Sequence, residues 1–397
     1  MKNNLTEKDI ENLNKWAEKY NIEELKIKDK EKIFNLEELH ISNDNLTELP
    51  KEIGNLTNLK ILDIVCFKLN ELPKEIFNLI NLKELNINSF SLTELPKEIG
   101  NLTNLKSLII RCFNLNELPK EIFNLINLEE LHITSHNLTE LPKEIGILTN
   151  LKSLHIRSNN LTKLPKEIGN LTNLKILDIE CYNLNELPKE IFNLINLEEL
   201  YIRNNNLTEL PKEIGNLTNL KSLYIDCYLN ELPKEIFNLI NLEKLHINSH
   251  NLTELSKEIG NLTNLKSLYI DCYLNELPKE IFNLINLEKL HINSHNLTEL
   301  SKEIGNLTNL KSLYIDCYLN ELPKEIFNLI NLEKLRIISN NLETFPDGIK
   351  KLINLENLYI DINIINENFN FKSLPIEEIG KLNNLKEFDI SIRKEEK

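Results

Sequence analysis

Residues 128–150 read LEELHITSHNLTELPKEIGILTN, and this 23-residue repeat determines the fold because it recurs along almost the whole chain. Apolar residues occupy its positions 1, 4, 6, 11, 14, 18 and 21, and proline occupies position 15. The pattern starts sixteen times between Leu36 and Leu385, at intervals of 23 residues except for three of 22 and a last one of 30. Such self-similarity indicates an architecture in which each repeat is one structural element of a stack.

Each repeat predicts a strand followed by a helical turn. Leu131 and Ile133 alternate with polar residues, which is typical of a short strand with one apolar face. Pro142 with Ile145 three residues later is typical of the start of a short helix or 3-10 helix. Stacked repeats can share one continuous core, so we expect an α/β solenoid. Its parallel sheet would line the concave face of a horseshoe, with helical or 3-10 turns on the convex face.

The pattern L-x-x-L-x-I-x-x-x-x-L-x-x-L-P-x-x-I resembles the leucine-rich repeat, in the 23-residue LPxxI form of bacterial and intracellular Ras-group-like proteins. The resemblance covers about nine tenths of the chain and implies recognition of a protein or ligand by the concave sheet. One departure concerns the family's asparagine at position 9, which bonds backbone groups between repeats. It is present at Asn159, Asn205, Asn340 and Asn363 only, so we expect the asparagine at position 23 to take over part of this role.

The ends of the chain differ from the repeats. Residues 6–20, TEKDIENLNKWAEKY, predict an amphipathic helix with Ile10, Leu13, Ala17 and Tyr20 on one face. We expect an N-terminal helical cap over residues 1–35, fifteen repeats over residues 36–384 and a partial repeat with a charged tail over residues 385–397. Membrane or partner-helix binding by the N-terminal helix is the alternative interpretation.

Position 19 carries a second period, because it alternates between glycine and phenylalanine with one slip. A large residue beside a small one would fill the convex layer without overpacking it. The alternative is an aromatic docking stripe on the convex side.

Charge limits the classes of partner. The chain of 397 residues carries 46 Lys and Arg against 61 Asp and Glu, a net charge of −15. This balance argues against a nucleic-acid binder or a protein held on an anionic membrane, and it favours a protein partner with a basic patch. The sequence shows no signal peptide and no apolar membrane span, so we expect a cytoplasmic protein. A secreted or cell-surface adhesin on the same scaffold is the alternative.

All six cysteines occupy position 8 and lie at least two repeats apart. Neighbouring parallel strands are about 4.8 Å apart, so these cysteines would be separated by roughly 10 Å, beyond the reach of a disulfide. We therefore expect free thiols, which fit a reducing compartment. Strand alternation points position 8 inward, whereas in the family it is often partly exposed, so its orientation stays open. The cysteines are Cys66, Cys112, Cys181, Cys227, Cys272 and Cys317.

Positions 5 and 7 of each repeat should face solvent on the sheet and are the candidate binding positions. Tyrosine at position 5 with aspartate at position 7 combines rigid aromatic area with an acidic group, which suits a basic protein partner. Solvated strand residues copied by duplication are the alternative. The predicted partner-binding residues are Arg111, Arg157, Tyr201, Arg203, Tyr224, Asp226, His246, Tyr269, Asp271, His291, Tyr314, Asp316 and Tyr359.

Catalysis and metal binding have weaker support. His132 and His136, like two later histidine pairs, have a spacing of four residues that binds metals on helices, but here it joins a strand to a loop. A metal or small-ligand module built from the Cys and His residues stays as an alternative. No phosphate-binding glycine motif occurs, and the repeats leave no stretch for a catalytic domain. We therefore expect a non-enzymatic protein-interaction scaffold without catalytic residues, metal or cofactor, whose oligomeric state the sequence does not indicate.

Overall fold

The computed structural model describes residues 5–27, 29–364 and 369–394. The chain forms two compact units, Met1–Leu197 and Glu198–Lys397. Parts of the predicted cap (residues 1–4 and 28), of the extended fifteenth repeat (residues 365–368) and of the charged tail (residues 395–397) lie outside the described residues.

The first unit contains a parallel sheet whose strands follow one another in chain order. Two helices, α1 (Glu7–Tyr20) and α2 (Lys30–Phe34), precede it. The strands are β1 (Glu38–Ser42), β2 (Ile61–Val65), β3 (Glu84–Ser89), β4 (Ser107–Cys112), β5 (Glu130–Thr134), β6 (Ser153–Ser158) and β7 (Ile176–Cys181).

The second unit continues the same alternation of strand and turn, again with parallel pairing in chain order. A short helix, α3 (Ile376–Ile379), precedes its last strand. The strands are β8 (Glu199–Arg203), β9 (Ser222–Asp226), β10 (Lys244–Ser249), β11 (Ser267–Cys272), β12 (Lys289–Ser294), β13 (Ser312–Cys317), β14 (Lys334–Ser339), β15 (Asn357–Ile364) and β16 (Glu387–Lys394).

The strands form where positions 4 and 6 can be buried together. In β5 and β6, Leu131 pairs with Leu154 and Ile133 with Ile156, and all four side chains are buried. Because the repeats share one register, leucine meets leucine and isoleucine meets isoleucine from β1 to β7 and from β8 to β15, which makes an apolar layer under the sheet of each unit; at β16 the leucine is replaced by the exposed Phe388. The predicted α/β repeat solenoid is confirmed within each unit.

The turns opposite the strands are 3-10 helices, most of them five residues long from position 16 to position 20, such as Lys189–Asn193. The sequence suggested that proline is the first residue of each turn. In the structure, proline at position 15 precedes the turn as its N-cap. Pro188 has a φ of −63°, and its carbonyl accepts the N–H of Ile191 at 3.0 Å. Proline serves here because its fixed φ suits this geometry and its missing N–H leaves nothing unpaired. Ser256 replaces proline with nearly the same backbone angles.

The phenylalanines at position 19 are core residues, so the alternative of an aromatic docking stripe is wrong. Phe77, Phe123, Phe192, Phe237, Phe282 and Phe327 are at most 2% exposed.

The glycines at position 19 have a cause that the sequence did not indicate. A Cβ atom on Gly169 would lie 2.4 Å from the carbonyl oxygen of Glu190 in the next repeat. Glycine is therefore required by the close approach of the neighbouring backbone. Gly348 stands at position 17 of its repeat, where an added Cβ atom would lie 3.2 Å from the Phe327 ring and the positive φ of 120° itself favours glycine.

The predicted N-terminal helix is present as α1. Thr6 and Asp9 form a capping box at its start, and Ile10, Leu13 and Ala17 are buried on one face. The carbonyl of Tyr20 at its end accepts a hydrogen bond from the Asn43 side chain at 2.8 Å, which ties the helix to the first repeat. None of the helices in the described part of the chain has the length and apolar character of a membrane span.

Asparagine at position 23 joins successive repeats, as expected. Asn127 Nδ2 donates to the carbonyl of Thr103 in the preceding repeat at 2.8 Å, and Asn286 does the same to Thr263 at 2.9 Å. These side chains satisfy carbonyl groups that the short turns leave unpaired.

Side chains at position 8 also join successive repeats by hydrogen bonds. The family resemblance had placed these hydrogen bonds at position 9. Ser158 Oγ donates to the carbonyl of Leu138 at 2.8 Å and accepts the backbone N–H of Leu161 at 3.3 Å. Asn204 accepts the N–H of Leu207 in the same way. Position 8 takes the role because strand alternation continues past position 6 and turns it into the core.

Candidate functional site

The solvent side of the sheet, hereafter the sheet face, is formed by positions 3, 5 and 7. In β9 the residues at these positions are half-buried, whereas Leu223 and Ile225 between them are buried. The predicted orientation of the candidate binding residues is therefore confirmed. Contacts between side chains on neighbouring strands determine which groups each part of the sheet face exposes to solvent.

Position 5 of the second unit forms a continuous stack of rings. Parallel register places Tyr224, His246, Tyr269, His291 and Tyr314 side by side on β9–β13. Consecutive ring centroids are 3.9 Å apart, and the interplanar angles are between 4° and 22°. We call these five residues the ring stack. Since each inner ring face contacts the next ring, the stack presents ring edges and polar tips to solvent rather than the broad aromatic faces that the sequence suggested.

Arginines cover both ends of the ring stack. The Arg203 guanidinium lies 4.8 Å from the ring centroid of Tyr224 and 5.8 Å from that of Tyr201. Arg336, which the sequence did not single out, lies 4.2 Å from the ring of Tyr359 and also faces Tyr314. These cation–π contacts hold the arginines over the outer rings. The signal for Arg336 was its place at position 5, between two tyrosines.

The histidines of the ring stack are neutral at pH 7. Burial lowers the pKa of both His246 and His291 to about 4, and the cationic neighbours Arg203 and Arg336 act in the same direction. Burial, with the nearby carboxylate of Asp271, raises the pKa of Tyr269 to about 12. The ring stack thus carries hydroxyl groups and neutral imidazoles but no charge of its own.

Position 7 of the second unit forms an acidic row beside the ring stack. Asn248 pairs with Asp226 on one side and with Asp271 on the other, and Asn293 likewise stands between Asp271 and Asp316. We call these five residues the acidic row. All five are half-buried, and burial raises the pKa of Asp316. Its carboxylate accepts the Tyr314 hydroxyl at 3.4 Å.

A second line of rings follows at position 9, beyond the acidic row. It was not recognised as part of a site from the sequence, although the same period reveals it. Its ring centroids are 5.2 to 6.5 Å apart, and Tyr228 is 43% exposed. We call this line the outer ring row, and it consists of Tyr228, His250, Tyr273, His295 and Tyr318.

In the first unit, several polar and charged side chains on the sheet face pair with one another. His155 Nδ1 lies 3.4 Å from Asp178, and Arg157 Nε lies 3.2 Å from Glu180 on the neighbouring strand. Asp63 similarly accepts from Asn86 at 2.7 Å. The candidate Arg157 is thus engaged within the face.

Among the described residues of the first unit, the rings form a short contact at position 5 and a row of three phenylalanines and a histidine at position 9. His132 stacks on His155 at 5.3 Å, and burial, helped by the charge of Arg111, lowers its pKa to about 4. At position 9 the neighbouring ring centroids are 4.7 to 5.0 Å apart, and the members are Phe67, Phe90, Phe113 and His136.

The cysteines face the core, which resolves the orientation that the sequence left open. All six are buried free thiols, as predicted. Burial raises the pKa of Cys66 to about 11 and that of each of the other five to about 12. Thiols of this kind are protonated at neutral pH, so they are poor nucleophiles and poor metal ligands.

The histidine pairs with four-residue spacing are split between two rows. His246 belongs to the ring stack, whereas His250 lies in the outer ring row between Tyr228 and Tyr273. Within the described ranges, no group of three or more His, Cys, Asp or Glu side chains is arranged to hold a metal ion.

A family model described as leucine-rich repeat region matches the chain in overlapping segments, at residues 11–110, 74–184, 141–230, 166–277, 224–317 and 275–397. The chain belongs to the leucine-rich repeat family. Proteins of this family are commonly protein-interaction scaffolds and typically non-enzymatic. No curated protein sequence matches the chain.

Solved structures give the same fold. A leucine-rich repeat protein of Leptospira interrogans is 36% identical, with a TM-score of 0.75, over 91% of this chain and 97% of that one. The plant peptide hormone receptor RGFR1, solved in complex with RGF2, is 27% identical with a TM-score of 0.60, over 91% of this chain and 65% of that one. InlJ of Listeria monocytogenes, whose functional domain includes a cysteine ladder, is 23% identical with a TM-score of 0.67, over 89% of this chain and 73% of that one.

Proposed function

We propose that this leucine-rich repeat protein, of the 23-residue LPxxI type found in bacterial and Ras-group-like proteins, is a non-enzymatic scaffold that binds a protein partner on its sheet face. The observation that carries the proposal is the acidic row of the second unit, which is half-buried between the ring stack and the outer ring row. The proposed partner-binding residues are Arg111, Arg157, Tyr201, Arg203, Tyr224, Asp226, His246, Tyr269, Asp271, His291, Tyr314, Asp316 and Tyr359.

The chemistry of the face supports recognition rather than catalysis. Stacked neighbours hold the rings of Tyr224, Tyr269 and Tyr314 rigid, so little side-chain entropy remains to be lost when a partner docks. The tyrosine hydroxyls donate and accept hydrogen bonds, and the aspartates attract cations. A catalytic site would need an activated nucleophile or a poised base, whereas the pKa of about 4 makes His246 and His291 weak bases, and both are half-buried in the stack.

The partner that fits this surface has a basic patch. Carboxylates beside aromatic rings favour Lys and Arg side chains, which combine an apolar stem with a charge. The net charge of −15 supports a protein partner over nucleic acid or an anionic membrane.

Two further assignments belong to this proposal. The six buried thiols support a reducing, cytoplasmic location, which cell fractionation would test against a secreted or cell-surface one. The contact of α1 with the first repeat supports a cap over residues 1–35, followed by repeats over residues 36–384 and a terminal segment over residues 385–397.

Affinity capture from native lysate tests the function. The wild-type chain should retain a specific protein, identified by mass spectrometry, that the variant Tyr224→Ala/Tyr269→Ala/Tyr314→Ala loses. The matched control, Ile240→Ser/Ile285→Ser/Ile330→Ser, changes three side chains of the same unit that are 51 to 58% exposed and lie outside the sheet face. It should retain the partner. Equal capture by the wild type and the tyrosine variant, with both chains folded, would reject the proposed surface.

A further inference from the structure

The acidic row has a period that differs from the period of the strands. Asp271 and Asp316 are both register partners of Asn293, so aspartates recur on every second strand. Asp226 precedes them by the same interval, with Asn248 between. Neighbouring strands are about 4.8 Å apart, so the carboxylates recur at about 9.6 Å.

The acidic row contains hydrogen-bond acceptors that need donors. Asn293 Oδ1 is buried and accepts no hydrogen bond from the described residues, which leaves a desolvated acceptor between two carboxylates. The Asp316 carboxylate is half-buried as well. A ligand that supplies N–H groups and positive charge would satisfy both needs.

A row of lysines confines such a ligand to the acidic row. Lys244, Lys289 and Lys334 occupy position 3 of β10, β12 and β14, and all three are exposed. Positions 3 and 7 are about 13 Å apart along an extended strand. Cationic side chains are therefore repelled from one side of the ring stack and attracted to the other.

Only some backbone conformations can place cations at intervals of about 9.6 Å on one side of a peptide. A polyproline II helix has three residues per turn and rises about 3.1 Å per residue, so every third side chain faces the same way at about 9.3 Å. In a β-strand, side chains on one face recur at about 6.6 Å. In an α-helix, the nearest equivalent interval is seven residues, or about 10.5 Å.

We propose that the acidic row binds an extended peptide segment in the polyproline II conformation that carries Lys or Arg at every third residue. The segment runs across the strands, each cation meets one aspartate, and the intervening residues lie against the edges of the two ring rows. This inference rests on the proposed function and specifies the partner of the same surface.

Peptide binding tests the register directly. Two fluorescein-labelled peptides of equal length, composition and charge, KPPKPPKPPKPP and KKKKPPPPPPPP, are titrated with the full chain, and anisotropy is recorded at 0.15 M salt. The periodic peptide should bind at least about tenfold more tightly, since it alone can place three lysines in register with the three aspartates. Equal affinities, or tighter binding of the block peptide, would overturn the proposal, and this comparison requires no variant to fold.

Variants then locate the site. Asp271→Asn/Asp316→Asn should weaken the periodic peptide about tenfold or more, whereas Glu254→Gln/Glu299→Gln removes the same charge from exposed positions outside the sheet face and should change affinity less than about twofold. Equal losses would show attraction by net charge alone and overturn the proposal. If neither peptide saturates the chain, the polyproline II assignment is wrong, while the proposed function is still judged by protein capture with the tyrosine variant. Circular dichroism of each variant controls for folding.

Discussion

The two units build the same scaffold from the same repeat and place opposite kinds of surface on it. In the first unit, Arg157 pairs with Glu180 and His155 with Asp178, so these side chains find their partners within the sheet face. In the second unit, Asp361 on β15 also pairs with Arg393 on β16, at 2.6 Å, but the aspartates of the acidic row and the lysines at position 3 form separate rows, and the rings between these rows stack on one another. A self-paired face offers a partner little, because its own pairs must first be broken. The comparison supports placing the proposed binding surface in the second unit.

The largest effect should be common to both units, because their cores are equivalent. Phe123→Ala and Phe282→Ala should each lower the free energy of unfolding by about 3–5 kcal/mol, since each removes a fully packed ring and leaves a cavity. Urea denaturation followed by circular dichroism measures both. Phe90→Ala, at a 45% exposed ring of the first unit, is the control and should cost less than about 1.5 kcal/mol. A tolerated substitution at Phe282 would show that the scaffolds differ.

A smaller effect on the free energy of unfolding should distinguish the sheet faces of the two units. Tyr269→Ala removes the centre of the ring stack and with it two ring contacts at 3.9 Å, so it should cost about 1–3 kcal/mol. Ile109→Ala, at the same position of β4 in the first unit, lacks stacking and should cost less. The same denaturation experiment compares them. Equal losses would mean that stacking adds nothing beyond burial.

The second unit should contribute more to the pH dependence of stability, because it has two histidines of lowered pKa, His246 and His291, against His132 in the first unit. The folded-state pKa of His246 and of His291 is about 4, below the ordinary value of 6.5, so the unfolded chain binds more protons between these two values. Their contribution to stability is complete above pH 6.5 and is lost as the pH falls towards 4, roughly 1 kcal/mol for each histidine after allowance for partial exposure. Melting temperatures at pH 7 and pH 4.5 should differ less for His246→Gln/His291→Gln than for the wild type. An unchanged difference would remove these histidines as its source.

The smallest effect concerns the ion pairs of the first unit. A double-mutant cycle on Arg157→Ala and Glu180→Ala should give a coupling energy of about 0.2–1 kcal/mol at low salt that declines as salt rises, because the pair is partly exposed. A coupling energy of zero at low salt would show that these charges do not neutralise each other, and the contrast between the two faces would then disappear.

The sequence predicted the features that follow from the repeat period and missed those that depend on contacts between neighbouring repeats. The strands, the 3-10 turns and the inward leucines follow from a regular pattern, so the fold and the outward direction of Tyr224 or Asp271 could be derived from it. Strand alternation also pointed Cys112 inward, although the family precedent left the matter undecided.

The sequence missed features that arise where two repeats meet. The glycine at position 169 is explained by the backbone of Glu190 in the next repeat, and the hydrogen bonds of Ser158 depend on how two loops stack. The ring stack is likewise a property of neighbouring strands. Tyr269 looks like an open aromatic surface in the sequence, but its faces are covered by His246 and His291.

Hydroxyl-radical footprinting of the complex with the captured partner tests the central claim most directly, because it reports side-chain exposure in both units at once. The account predicts that oxidation of Tyr228 and Tyr273, at the exposed edge of the acidic row, falls at least about twofold on binding, whereas oxidation of Phe90 in the corresponding row of the first unit is unchanged. Protection of Phe90 without protection of the two tyrosines would contradict it.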